Sequence, residues 1–277
     1  MSAFFGRFLR SPEGMIGLVL LIAIAVMALA APVAFPGDPL AIVARPLTAP
    51  FTDMRVPLGT DQLGRDVLVQ LMYGAQTSLV VGLAAAFVAI VFGALVGTTA
   101  GFFGGLVDEA LMRVVDAFQI VPGFLLALAF VSVTGPSLAV IVSAIALGAW
   151  PGPARLARAE VLSIRERDYV AAARVIGMHP AEIAFREILP NALPPVLALV
   201  SVIVASAVLI EAALSFLGLG DPNLVTWGSM IAEGRNMLRS APYLSIVPGI
   251  GLVCVVLGVY LFGEGVVESL AHRRRRG

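Results

Sequence analysis

SLVVGLAAAFVAIVFGALVGTTAGF, residues 78–102, runs for 25 positions without a charged side chain. A helix crosses the hydrocarbon core of a bilayer with roughly 20 apolar residues, so this stretch is long enough to span one. Five more apolar stretches satisfy the same test, and the spans are expected at 15–34, 78–102, 111–133, 138–156, 188–210 and 240–263. The third and fourth share one long uncharged run, which Thr134-Gly135-Pro136-Ser137 divides with a turn. The first run is longer than the apolar region of a signal peptide, although Arg7, Arg10 and Ala28-Leu29-Ala30 imitate one.

Composition agrees with this reading. The 277 residues are 59% hydrophobic and 13% charged, with a mean hydropathy of +0.98, against about 25% charged in ordinary soluble domains. All 18 basic residues are arginine and balance 18 acids. The absence of lysine excludes a Walker A loop, a Schiff-base enzyme and a β3-lysine kinase. Cys254 is alone, so no intrachain disulfide and no cysteine-rich zinc site can form. His179 and His272 are far apart and make no HExxH pair, and no basic stretch interleaves with aromatics as a nucleic-acid groove would require.

Six spans put both termini on one side. That side collects 13 arginines, namely Arg7, Arg10, Arg113, six between 155 and 186, and Arg273 to Arg276. The opposite side holds five, Arg45, Arg55, Arg65, Arg235 and Arg239. The positive-inside rule therefore makes the termini cytoplasmic. The tail Arg273 to Arg276 also suits anionic lipid. The organisation expected is a first unit 1–74 with the N-terminal tail, first span and external segment, a core 75–268 with five spans, and a basic tail 269–277.

Within the core, 165–191 is charged, helical in pattern and bounded by prolines. Four arginines and four acids in residues 165–187 make it neutral, so it is no lipid-binding basic patch. Ala171, Ala172 and Ala173 offer a face for close approach, Gly177 and Pro180 break the helix, Pro180 starts a second one and Pro190 closes it. Such a hairpin is suited either to docking in a protein cleft or to serving as a solvated connection.

Other positions carry a second reading beside packing. Gly93, Gly97, Gly101 and Gly105 lie four apart on one helix face, for contact within the subunit or at a subunit interface. Pro122-Gly123 predicts a kink. Arg113 and Asp116 are spaced to pair, as are Asp61 and Arg65, and Thr60 or Asp61 is expected to cap a helix leading to Leu71. Glu211 near the outer end of the fifth span is either a helix-end carboxylate or a pathway group. Trp227 is expected as an interfacial anchor.

The stretch YVAAARVIGMHPAEIAFREILPN, residues 169–191, resembles the EAA loop of ABC-importer permeases. PLGTDQLGRDVL at 57–68, FFGGLVDEALMRVVD at 102–116 and EAALSFLGLGDPNLVTWGSMIAEGR at 211–235 resemble the dipeptide, oligopeptide and nickel permease family, in its second and shorter permease subunit. The resemblance covers nearly the whole chain and departs at Ala171, where the family carries glutamate, and at Glu187 before Ile188-Leu189-Pro190. It implies an all-α polytopic protein of the bacterial inner membrane, with a type I, MetI-like permease core behind an extra N-terminal helix. It also implies a non-catalytic subunit that binds no cofactor or metal itself, with ATP and magnesium held by two cytoplasmic ATPase partners. A homologous second permease and an extracytoplasmic binding protein complete the assembly, in which the lipid bilayer is a further partner and nucleic acid is not. On this resemblance the ATPase-coupling residues are Tyr169, Ala171, Ala172, Ala173, Gly177, Pro180, Ile188, Leu189 and Pro190. Pathway or gate candidates are Glu211, Ser215, Phe216 and Trp227. The implied cargo is a di- or oligopeptide, with a nickel chelate, glutathione or an oligosaccharide as alternatives in the same machinery. A secondary transporter is the rival from another class, and the repeat expected of one is not found.

Overall fold

The computed structural model describes residues 8–274, with side chains through Ser269; Arg7, Arg275 and Arg276 lie outside the described residues. Among these residues there is no strand, only isolated bridges between Ile42 and Arg65 and between Thr60 and Asp66. Three long unbroken helices form the frame: α1 (Pro12–Ala34), α2 (Val67–Phe103) and α11 (Tyr243–Arg274). Each begins or ends by local chemistry. Ser11 accepts from the Gly14 amide to start α1, with Pro12 in the first turn where its missing N–H costs nothing. The expected cap at Thr60 or Asp61 is corrected: the cap of α2 is Asp66, five residues beyond Asp61, which accepts from Leu68 at 2.7 Å and Val69 at 3.4 Å. Asp61 instead ties the external loop, accepting from the Leu63 and Arg65 amides, while Thr60 donates to the Arg45 carbonyl.

The other spans are bent pairs. α3 (Gly105–Ile120) and α4 (Gly123–Thr134) meet at 84°, α5 (Leu138–Ala149) and α6 (Pro151–Ile164) at 44°, and α8 (Pro180–Leu197) and α9 (Val200–Phe216) at 56°. Three long helices and three bent pairs thus give up to six crossings; the kink expected at Pro122-Gly123 is a sharp bend, and the fourth and fifth spans, expected without a break, are corrected to broken ones. Proline causes the breaks. Val121 is extended at φ −89°, ψ 126°, as the residue before a proline is driven to be, and Pro122 then starts α4. Pro151 begins α6. Pro194 and Pro195 withhold two donors from the last turn of α8 just before the third bend.

Two local expectations fail in an instructive way. Pro190 does not end its helix: residues Ile183–Ile188 adopt wide π turns, which let the chain carry the proline ring without its usual clash, and α8 continues to Leu197. Arg113 and Asp116 do not pair. Arg113 reaches Glu109 at 3.6 Å, whereas Asp116 takes Arg155 of α6 at 2.5 Å. The latter belongs to a ladder binding α3 to α6, in which Arg158 clasps Asp108 through two bonds of 2.5 and 2.6 Å.

The central contact is α2 against α6. Gly93, Gly97 and Gly101 face the carbonyls of Trp150, Ala154 and Arg158, so the glycine row of one helix and a backbone row of the other repeat every four positions in step. A Cβ on Gly93 would lie 2.6 Å from the Trp150 oxygen and one on Gly101 2.9 Å from that of Arg158. Gly105 is not part of this face; it opens α3 with φ +52°. α1 and α11 are joined by the same device, Gly14 lying against Gly265 and Gly17 against the backbone at Gly258 and Phe262.

Replacing Gly97 by valine is expected to overpack the α2–α6 contact, at a cost of roughly 1–3 kcal/mol or more. Gly152→Ala, whose Cβ meets nothing within 4 Å, serves as the neutral comparison. Thermal unfolding in detergent measures both, and equal midpoints would remove the contact from its central place.

Candidate coupling surface and outer gate

Between α6 and α8 the chain forms α7 (Asp168–Val175). One face is anchored, since Val170 and Ala173 join Val161, Ile164, Ile183, Ile188 and Ala192 in a buried cluster. The end of α7 is fixed by a glycine in the left-handed region. Gly177 has φ +81°, its N–H donates to Arg174 and that of Met178 to Ala173, both at 3.1 Å, which is the Schellman pattern. A new helical turn then starts at Pro180, with the His179 ring nitrogen accepting from the Ala181 amide.

This geometry sorts the sequence candidates. Tyr169, Ala171, Ala172, Gly177 and Pro180 are exposed, Ala173 and Ile188 are turned into the core, Leu189 is half-buried and Pro190 is exposed. The alanine face is therefore two residues wide rather than three, because a 3.6-residue turn sends the third inward. Sequence reasoning missed Val175 and Ile176, which are 87% and 76% exposed at the tip beside Gly177. A β-branched pair directly before a helix-ending glycine was the available signal.

On the other side of the chain, α9 ends in the same way. Gly218 has φ +84°, with Gly218 donating to Ser215 and Leu219 to Leu214. A short helix α10 (Trp227–Gly234) follows, held by a reciprocal cap between Thr226 and Ser229. Trp227 is not an interfacial anchor. It is fully buried, its Nε1 donates to the Leu71 carbonyl at 2.9 Å, and its ring lies between Gly74 of α2 and Gly251 of α11. Only residues without a Cβ leave room for the indole on both sides. Gly228 comes equally close to Ala212, so α10 is pressed onto α9.

Glu211 is also buried, at 1% exposure, and accepts from Ser215 at 2.6 Å with the Thr226 side chain as a further polar contact. The carboxyl thus lies buried between α9 and the start of α10 instead of ending a helix in water, and its Oε2 has no hydrogen-bond partner among the described residues. Phe216 is half-buried under the Arg235 guanidinium, 5.1 Å from the ring centre. Beside this knot lies a polar cavity of about 350 Å³, lined by Arg65, Gln70, Ser215, Asp221, Ser229 and Glu233. Loss of water raises the Glu233 carboxyl, an effect that Arg65 opposes and Asp61 reinforces. The external segment is tied to it: Gln62 donates to the Glu233 carbonyl at 2.7 Å and Tyr243 to the Thr60 carbonyl at 2.7 Å.

The all-helical frame of long apolar helices and bent spans has the MetI-like fold of membrane permeases. Over 72% of this chain and 95% of the other, the structure matches the MetNI methionine ABC transporter, in the CY5 native crystal form among its inward-facing conformations, with TM-score 0.57 at 20% identity. The family described as binding-protein-dependent transport system inner membrane component matches residues 89–276, and the chain belongs to that family. Among relatives, the di/tripeptide transport system permease protein of Pseudomonas aeruginosa is 35% identical over 98% of this chain and 91% of its own length. The dipeptide transport system permease protein of Alkalihalophilus pseudofirmus is 39% identical over 76% and 70%. This protein is a permease subunit of an ABC importer, an inner-membrane component of binding-protein-dependent transport.

Trp227→Phe keeps the ring between its glycines and removes the bond to Leu71, at an expected cost of about 1 kcal/mol. Trp227→Ala also leaves a cavity and is expected to cost about 3–5 kcal/mol. Unfolding midpoints of the purified protein check the order, and an alanine variant as stable as wild type would show that α10 is held by something else.

Proposed function

We propose that this subunit carries di- or oligopeptides inward across the bacterial cytoplasmic membrane as half of a heterodimer with a homologous permease. Two cytoplasmic ATPases bind and hydrolyse ATP with magnesium, and an extracytoplasmic binding protein delivers the cargo; this chain supplies neither catalysis nor cofactor. Peptide is favoured over a nickel chelate, glutathione or an oligosaccharide because the relatives described above are named for di- and tripeptide transport. The arginine distribution supports cytoplasmic termini, and residues 75–268 act as the permease core.

The observation that carries the coupling role is the exposed apolar tip, Val175 and Ile176, held on a rigidly capped turn beside Tyr169, Ala171 and Ala172. A protein cleft would cover such a tip. Ion pairing at the site is not required, which fits alanine at 171. ATP-driven closure of the partners would push α7, and α8 would pass the movement across its bend to α9. The knot of Glu211, Ser215, Phe216 and Trp227 then acts as an outer gate support: these residues position α10 rather than contact cargo directly.

Ile176→Asp is expected to weaken association with the ATPases about tenfold or more, since a carboxylate would lose water in the cleft. Co-purification and binding titration measure it. Gly177→Val meets open space but forces a branched residue into the left-handed region, at roughly 1–2 kcal/mol. It is expected to lower transport per ATP hydrolysed in proteoliposomes; unchanged coupling would remove the docking role from this turn.

A further inference from the structure

The bend between α8 and α9 opens onto a groove of about 320 Å³. Ala25 of α1, Leu83 of α2, Leu197, Ser201 and Val204 at the bend, and Phe262 of α11 are among the residues that wall it. Its depth in the membrane follows from α1. That helix has 23 residues, or about 35 Å at 1.5 Å each, close to the roughly 30 Å thickness of the hydrocarbon core. Leu21 and Ala25 line the groove and bracket the middle of α1, so the groove lies near the bilayer midplane.

The chemistry of the walls narrows the occupant. A buried water needs two to four polar partners. The one polar side chain in the lining is Ser201, and its hydroxyl turns back to the Ala198 carbonyl at 3.5 Å. Ile22, Val26 and Leu29 on the adjoining face of α1 are exposed, so the groove is continuous with apolar surface of the kind that meets lipid. Water takes about 30 Å³ in the liquid, so the space holds on the order of ten groups of that size, and a stretch of fatty-acyl tail built of methylenes suits its apolar walls.

We propose that this groove is a binding site for one acyl chain of a membrane phospholipid, seated as a wedge where α8 turns into α9. The walls of the site all belong to this chain and its open side meets lipid, so it does not depend on the identity of the cargo. Its consequence for transport rests on the coupling role of α7 and α8: a chain in the groove props the 56° bend, and its loss lets the bend change without the resistance of packed atoms.

The test uses the complex purified with its partner subunits, stripped of lipid in detergent and offered phosphatidylcholine with a dibromostearoyl chain. Native mass spectrometry is expected to show a retained phospholipid on the wild type that is lost in Ala25→Phe, which fills the groove. Equal retention by both would overturn the assignment. A second measurement needs no filling mutation. Ser201→Cys, in a Cys254→Ser background, is expected to resist a charged maleimide and, when carrying a benzophenone, to photolabel phospholipid. Reaction with the charged reagent would make the groove a hydrated cavity, and photolabelling of the second permease would make it a protein interface; either result overturns the proposal. Coupling is read separately, as transport per ATP in vesicles of the same lipid. A bound lipid with unchanged coupling in Ala25→Phe would keep the site and remove the wedge.

Discussion

Gly93, Gly97 and Gly101 against the carbonyls of Trp150, Ala154 and Arg158 make the contact on which the rest of the structure depends. In a bilayer the solvent is as apolar as the side chains, so helices gain little from hiding leucine from lipid, and close backbone approach has to supply the cohesion. The α2–α6 contact does this along three successive turns. It also sets α6 at a fixed height, which brings Arg158 and Arg155 to Asp108 and Asp116 and places Arg165 to donate to the Gly101 carbonyl at 2.8 Å. The start of α7 is thereby positioned from α2, through about one helical turn of separation. A coupling element that protrudes from the frame needs such a root if force on its tip is to reach the spans.

The same principle explains what was legible in the sequence. The apolar stretches, the spacing of Gly93, Gly97 and Gly101 and the punctuating roles of Gly177, Pro180 and Pro122-Gly123 depend on composition and local backbone chemistry, and they can be read residue by residue. The angles of the bends cannot be read this way. Hydropathy counts apolar side chains along the chain and is blind to direction, so Pro122-Gly123 marks a kink in 111–133 but not that its two halves meet at 84°. Pro190 misled for a related reason: a proline ends a helix only if the turn before it is of ordinary width, and the π turns at Ile183–Ile188 remove that condition.

Trp227 and Glu211 show a different limit. A tryptophan near a span end is most often an interfacial anchor, and an acid there is most often wetted. Both readings treat the residue alone. What buries Trp227 is a pair of glycines, Gly74 and Gly251, 153 and 24 positions away in the sequence. What meets Glu211 is Ser215 one turn on, which donates to one carboxylate oxygen, while the other is buried without a hydrogen-bond partner among the described residues, near Thr226 beyond the end of the helix. Long-range partners of this kind carry no local signature, whereas the apolar Val175 and Ile176 beside Gly177 did and were passed over.

The unbroken and broken helices divide the work in a way that follows from backbone chemistry. α1, α2 and α11 keep their backbone bonds over most of their length, with Pro32 and Pro248 interrupting α1 and α11 only near an end, and glycine contacts join α1 to α11 and α2 to its neighbours, so deforming them would break many bonds at once. The bent pairs have already surrendered bonds at Pro122, Pro151 and the Pro194-Pro195 pair, and a change of angle there costs few additional ones. α8 carries such a bend next to the Gly177 turn, and α9 ends at the Glu211, Ser215 and Trp227 knot beside α10. If the tip at Val175 and Ile176 is pushed, as the proposed coupling role requires, the motion meets stiff resistance along α2 and slight resistance at the bend. The path of least deformation then runs through α8 and α9 to the cavity beside Glu233, and it requires no flexibility beyond what the prolines provide.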